Sequence, residues 1–274
     1  MPQKDTCLNC NTPLYGKYCH ACGQKRIEDR ERTFRYFCYQ FFGATFFLEN
    51  NLIKNLWHLL TRPGFLAVEY LAGKRKCHMT PISLFLLINF IYFFAVFLSD
   101  LNLTLTEQFN QPGHGSLAKA MVQRRIASRE ITFDDYAESF NDRSTSLSKT
   151  LIILHAPILA LMIMLLYLKK NYYYTDHIIF SLYLMAFVLL FSIISINLLL
   201  FLAKHSIITP RMIFQISGYA QLVVYPVYFT IAVKEFYRQS LGITFVKSLL
   251  VMAFFMVAHF VYRTLLFFAV FWTT

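Results

Sequence analysis

The sequence predicts a mainly α-helical, polytopic membrane protein. About five transmembrane helices follow a small four-cysteine zinc ribbon and a set of amphipathic interfacial helices. Three observations predict it. The 274 residues are 57% hydrophobic and 15% charged, where a soluble domain carries about a quarter charged residues. Five apolar segments, 80–98, 147–168, 178–203, 212–233 and 248–272, are each long enough to cross roughly 30 Å of hydrocarbon as helices. Residues 7–25, CLNCNTPLYGKYCHACGQK, hold two Cys-x-x-Cys pairs with eight residues between them.

The cysteine module occupies residues 1–25. Two such pairs flanking a short hairpin are the pattern for four-thiolate tetrahedral metal binding by Cys7, Cys10, Cys19 and Cys22. The residue after each pair's second cysteine takes a positive φ, which Asn11 and Gly23 tolerate. Pro13 and Gly16 supply the turn between the pairs. About twenty residues bury too little to offset their own ordering, so an ion has to hold them. Closed four-thiolate coordination is the usual zinc geometry, which makes structural zinc the expected cofactor; a dithiol redox pair and iron are the competing assignments. Four thiolates leave no open position for water, so the site is a fold staple rather than a catalyst. Cys38 and Cys77 stand alone, as in a reducing compartment.

Residues 26–79 carry many charges and no segment of spanning length. No apolar run with a small-residue cleavage site precedes residue 79, so no cleavable signal peptide is expected. The phenylalanines of 34–47 and the helical spacing of Leu52, Ile53, Leu56, Leu59 and Leu60 make aromatic-rich amphipathic stretches. They fit the membrane interface and, equally, packing on the cytosolic ends of the spans. Lys74, Arg75 and Lys76 stand just before span 1, where contact with lipid headgroups is the ordinary role. Thr80 and Pro81 open that span as N-cap and first helical residue.

In the helical domain, 80–274, the long loop 99–146 should lie outside and contain short helices at 115–130 and from 133, the second capped by Thr132. Seventeen Lys/Arg fall on one side of the predicted spans and eight on the other. The positive-inside rule then sets the amino terminus in the cytoplasm and the carboxyl terminus outside. The net charge of +11 is largely this topology signal, and its distribution argues against nucleic acid as a partner.

Ionisable groups at membrane depth are candidate sites. His259 and Arg263, four residues apart, share one face of span 5 and could line a polar pathway or bind an anionic headgroup; snorkelling is the competing account. His155 precedes Pro157, which frees the Ile153 carbonyl inside span 2. Asp176 and His177 mark the cytosolic mouth of span 3, as a proton relay or metal ligands or as an interfacial cap. Asn89, Asn197, Gln215 and Gln221 are candidates for hydrogen bonds between helices.

Several short motifs go together: CGQK closing the second cysteine pair, RPG at 62–64, EYLAGKRK at 69–76 with Pro81, DHIIF at 176–180 and VKEFYRQS at 233–240. In these the chain resembles a bacterial membrane family designated domain-of-unknown-function family 3667. The resemblance implies a zinc ribbon followed by transmembrane helices in the bacterial cytoplasmic (inner) membrane, and it brings no activity. Members often carry Glu before the span-3 His and more His along that helix. Here the residue is Asp176, with Tyr183 and Met185 following, so a multi-histidine metal or haem site is not carried over.

Three functions compete. The first is a non-enzymatic organiser that recruits a cytosolic protein partner to the lipid bilayer through the ribbon. The second is a small transporter, channel or lipid-handling protein using His259 and Arg263, for which a homo-oligomer would supply the symmetry that five spans lack. The third, an intramembrane enzyme, has no paired carboxylates, His-Glu-x-x-His motif or activated nucleophile behind it.

Overall fold

The computed structural model describes residues 6–27, 33, 35, 51–95, 103–111, 113–169, 171–203 and 209–274. The phenylalanines between 34 and 47, Cys38, Lys170, the last residues of the first expected span (96–98) and most of the loop 204–211 lie outside the described residues. Among those described, the structure is helical apart from isolated β-bridges in the cysteine module. The helices are α1 (Leu52–Thr61), α2 (Phe65–Leu71), α3 (Pro81–Ala95), α4 (Leu105–Phe109), α5 (Gly115–Arg129) and α6 (Phe133–Leu151). After a 3-10 turn at Ile152–Leu154 come α7 (His155–Leu166), α8 (Tyr174–Ala203), α9 (Pro210–Tyr237) and α10 (Leu241–Thr273).

Among the described residues, four helical runs are long and apolar enough to cross a membrane: Phe133–Leu166, Tyr174–Ala203, Gln215–Tyr237 and Leu241–Thr273. The shorter α3 is apolar apart from Ser83, Asn89 and the Tyr92 hydroxyl. Thr80 caps it as expected, its Oγ1 accepting from Ser83 N at 3.2 Å. The chain is therefore a mainly helical membrane protein. Two span starts differ most from expectation. The last helix begins at Leu241 rather than 248, and the stretch from 133, expected as a separate loop helix, continues through a 3-10 turn into the second span. Thr132 starts it, accepting from Asp135 N at 3.2 Å, and no Gly or Pro interrupts it before Pro157.

The chain divides into two compact units, Met1–Ala95 with Ala156–Phe254 and Val96–His155 with Phe255–Thr274. In the first, α8 is the hub. Every residue from Thr175 to Leu189 is buried, as a helix with almost no polar face must be. α9 runs antiparallel to it, shown by Ser195–Ser217 at 3.4 Å, Ser192–Tyr225 at 3.3 Å and His177–Tyr237 at 2.7 Å. Tyr183 Oη donates to Met79 O at the start of α3, 3.2 Å away. These links are hydroxyls. The amides of Asn197 and Gln221, expected to bridge helices, instead bond Ile193 O and Ser217 Oγ within their own helices.

The ends of α7 and α9 and the starts of α8 and α10 meet. Tyr167 stacks on Tyr237 with centroids 3.6 Å apart, Tyr172 Oη donates to Phe236 O, and Lys247 Nζ donates to Leu166 O. The α1–α2 corner seats on α9, where Tyr228 Oη donates to Leu59 O at 2.7 Å. Gly64, at φ +81, makes this corner possible: a Cβ there would lie 2.7 Å from Ala232 O. α1 and α2 bury Leu59, Leu66, Ala67 and Tyr70, while Ile53 and Trp57 face outward at 84% and 65% exposure. The buried face of this segment is thus accounted for by its packing.

In the second unit, Tyr136 and Phe140 of α6 pack with Phe267 of α10. Tyr262 Oη donates to Ser148 O at 3.3 Å, and the Arg125 guanidinium lies 3.7 Å over the Phe271 ring. Asn141 Oδ1 accepts from Leu105 N, fixing the start of α4, whose Thr104–Glu107 pair forms a capping box.

Gly64→Ala is expected to lower stability by about 3 kcal/mol, from the strained φ and the clash with α9. Gly218→Ala, which meets nothing within 4 Å, should be neutral or slightly stabilising. Thermal melting of the detergent-solubilised proteins separates the two.

Candidate metal centre and buried polar clusters

Two matching knuckles build the cysteine site. In the first, Cys7 O accepts from Asn11 N at 2.8 Å and Cys7 N donates to Thr12 O at 2.8 Å. In the second, Cys19 O accepts from Gly23 N at 2.8 Å and Cys19 N donates to Gln24 O at 2.9 Å. Asn11 and Gly23 take φ of 60° and 70°, the left-handed conformation expected of them. The four Sγ atoms all lie within 4.8 Å of one another, with Cys7–Cys22 and Cys10–Cys19 each at 3.6 Å. A tetrahedral ion with bonds of about 2.3 Å sets its sulfurs about 3.8 Å apart, so the four residues fit one ion. Cys10 Sγ bonds Thr12 Oγ1 at 3.2 Å; this contact brings the Cys10 thiol down to about 6, whereas Cys22 is pushed up to about 11. His20 stacks on Tyr15 and is not in the set.

The module is latched to the turn before α3. Gln24 Nε2 donates to Gly73 O at 2.7 Å, and Gln24 Oε1 accepts from Arg75 N and Lys76 N at 3.1 and 3.2 Å. Gln24 is buried. Gly73 stands at φ +93, and a Cβ there would lie 2.6 Å from Leu8 Cδ1 and 3.1 Å from Ile27 Cδ1. The basic run is thereby partly committed. Lys74 pairs with Glu69 at 2.7 Å and Arg75 lies over the Tyr70 ring at 4.9 Å, while Lys76 is exposed.

His155 and His259 come together in the second unit. Ile152 O can only accept, so His155 Nδ1 carries its proton there (3.2 Å), and His155 Nε2 accepts from His259 Nδ1 at 3.2 Å. The carbonyl used is Ile152, one residue before the one expected, because the chain tightens to a 3-10 turn. Arg263 Nη1 reaches Gln111 Oε1 at 3.3 Å. Beside it, buried His114 bonds Gln108 Oε1 at 3.1 Å and Thr264 Oγ1 at 3.3 Å. Gln108, Gln111 and His114 were not legible as partners, because about 150 residues separate them from Arg263 and Thr264 and no local pattern marks them.

Asp176 and His177 part company. Asp176 Oδ2 accepts from Tyr173 N at 3.0 Å and closes the first turn of α8, whereas His177 points to Tyr237. A further cluster was missed altogether: Asn55, His58, Glu69 and His78. Asn55 and His58, three apart on α1, were the available signal.

The fold and the site define a polytopic helical membrane protein with a four-cysteine cluster whose geometry is compatible with a metal site. Residues 49–93 match the family described as Protein of unknown function (DUF3667). That stretch carries the RPG, EYLAGKRK and Pro81 motifs; CGQK, DHIIF and VKEFYRQS lie outside it. No curated protein and no solved structure matches the chain.

Burial, reinforced by Arg263, holds His114 below the usual imidazole range. The stability contributed by neutral His114 is complete above about pH 6.5 and is lost as pH falls. Melting temperature is expected to drop between pH 7.5 and pH 5, and His114→Gln to narrow that drop. Gln24→Ala removes three hydrogen bonds; Arg75 N and Gly73 O keep each other, and Lys76 N loses its partner, at a cost of about 1–3 kcal/mol. Hydrogen exchange of the 73–76 amides should quicken in that variant while its metal content is unchanged.

Proposed function

We propose that this protein is a non-enzymatic organiser of the bacterial cytoplasmic membrane that holds a cytosolic protein partner through a structural zinc ribbon. The Gln24 latch carries the reading. A module fixed to the head of α3 by three hydrogen bonds presents a partner at a set position above the bilayer, which a freely tethered module does not. Four thiolates around one point favour zinc. The amino terminus lies in the cytoplasm and the carboxyl terminus outside. In support, Lys234, Arg238 and Lys247 stand at or beside the end where α7–α10 meet, and Lys74, Arg75 and Lys76 stand in the turn before α3. Exposed Lys76 is the member of the basic run that meets anionic headgroups.

Co-purification from native membranes tests this. A cytosolic protein should accompany the wild type, disappear with Cys19→Ser, and weaken with Gln24→Ala. If neither variant changes what co-purifies, the ribbon is not the recruiting element.

The His155–His259 hydrogen bond favours a second reading, a small transporter or lipid-handling protein in which the pair passes a proton or polar group. Reconstituted vesicles with solute or ion flux that vanishes in His259→Ala and Arg263→Ala would select it. Flux absent throughout leaves the organiser.

A further inference from the structure

The outward edge of α1 is open and of mixed character. Asn55 and Leu59 point inward and are buried, Asn55 against His78 at 3.2 Å. Ile53, Lys54, Trp57 and Thr61, spaced three and four apart, share the opposite face and are exposed. Half-buried Leu56 and Leu60 border Ile53 on one flank, and exposed Arg62 follows the last turn. α1 holds no carboxylate, and among the described residues neither Lys54 nor Arg62 forms an ion pair. The Arg62 guanidinium is fixed over the Phe65 ring at 5.4 Å. Neither bulk water nor pure hydrocarbon suits a face on which a tryptophan and an isoleucine are edged by two cations.

The level of this edge in the bundle says what it meets. At its carboxyl end α9 carries Lys234 as its innermost charge. The corner after α1 seats on α9 beside Ala232, and Leu59 O accepts from Tyr228 Oη at 2.7 Å. Tyr228 lies six residues inside Lys234, about 9 Å along the helix. Side chains lean toward a helix's amino terminus, here away from that charge. The last turn of α1 therefore lies beside the apolar stretch of α9 rather than beyond its end. At the same end Leu165 of α7 and Leu241 and Ile243 of α10 are exposed and apolar, so hydrocarbon extends to it. A helix at the boundary of headgroups and acyl chains sinks its apolar face by about 5–10 Å, which matches that level.

We propose that the outward edge of α1 binds anionic phospholipid. Ile53 and Trp57 enter the upper acyl region of the leaflet on that side, and Lys54 and Arg62 take the headgroup phosphates above them. The indole suits this boundary because its body is apolar and it keeps one N–H donor. Lys54 reaches the headgroups along its own stem, and Arg62 offers a planar fork to phosphate oxygens. α1 is thus the part of the chain that reads lipid charge. The proposal needs only that the bundle crosses the bilayer; it is independent of the organiser reading and of which side is cytoplasmic.

The chain has two tryptophans, which makes the test direct. With Trp272→Phe, an exposed position at the end of α10, Trp57 becomes the sole one. The full-length protein is reconstituted in equal parts anionic phosphatidylglycerol and zwitterionic phosphatidylcholine, with bromine on the acyl chains of one lipid or the other. Chain bromine quenches an indole only on contact. Both mixtures should quench Trp57, the brominated anionic lipid more strongly, with a preference of roughly fivefold for each cation. Lys54→Gln with Arg62→Gln should abolish that excess. Equal quenching by the two lipids before those substitutions, or an excess that survives them, overturns the proposal. Quenching by neither lipid overturns it as well, and aqueous iodide then separates water over Trp57 from a protein partner or a second copy.

Discussion

Gln24 joins the cysteine module to the turn before the first apolar helix. The module is too small to bury a core of its own. One carboxamide, buried and using both its donor and its acceptor on the backbone of residues 73–76, turns the pair into a single object. Gly73 is what lets the surfaces close, since Leu8 and Ile27 occupy the space a side chain would need. The motif that ends the second cysteine pair and the motif that precedes the first apolar helix are therefore two halves of one contact.

Within the apolar body, polar groups follow the same economy. A bilayer offers no water, and several hydroxyls find a carbonyl or another hydroxyl instead: Tyr228 on Leu59, Tyr183 on Met79, Thr230 on Ser248. Histidines obey it too. His155 and His259 satisfy each other, and His177 is satisfied by Tyr237. Arg263 bends toward Gln111 rather than standing alone in hydrocarbon.

What could be read from sequence divides along a physical line. Anything encoded by local spacing was legible: the two cysteine pairs with positive φ at Asn11 and Gly23, the cap at Thr80, and the apolar runs that became α3 and α7–α10. Joining α6 to the second span was harder, because polarity falls away gradually along one uninterrupted helix. Contacts that depend on the tertiary path were not legible. Gln24 and Gly73 are 49 residues apart, and His155 and His259 are 104 apart. His259 and Arg263 could be chosen because charge in an apolar run stands out. Asn55, His58 and His78 sit in mixed sequence where a polar residue draws no attention.

α8 changes character along its length. Its first half is enclosed on all sides, whereas Ile194, Leu198, Phe201 and Leu202 in its second half are open to the surroundings. Selection therefore acts on the two halves through different filters. Near Ser181 each side chain must match the shape of several neighbours, so drift is confined to swaps of nearly equal volume. Toward Phe201 the surrounding lipid accepts any greasy residue, and descendants of this chain are free to diverge there without losing the architecture.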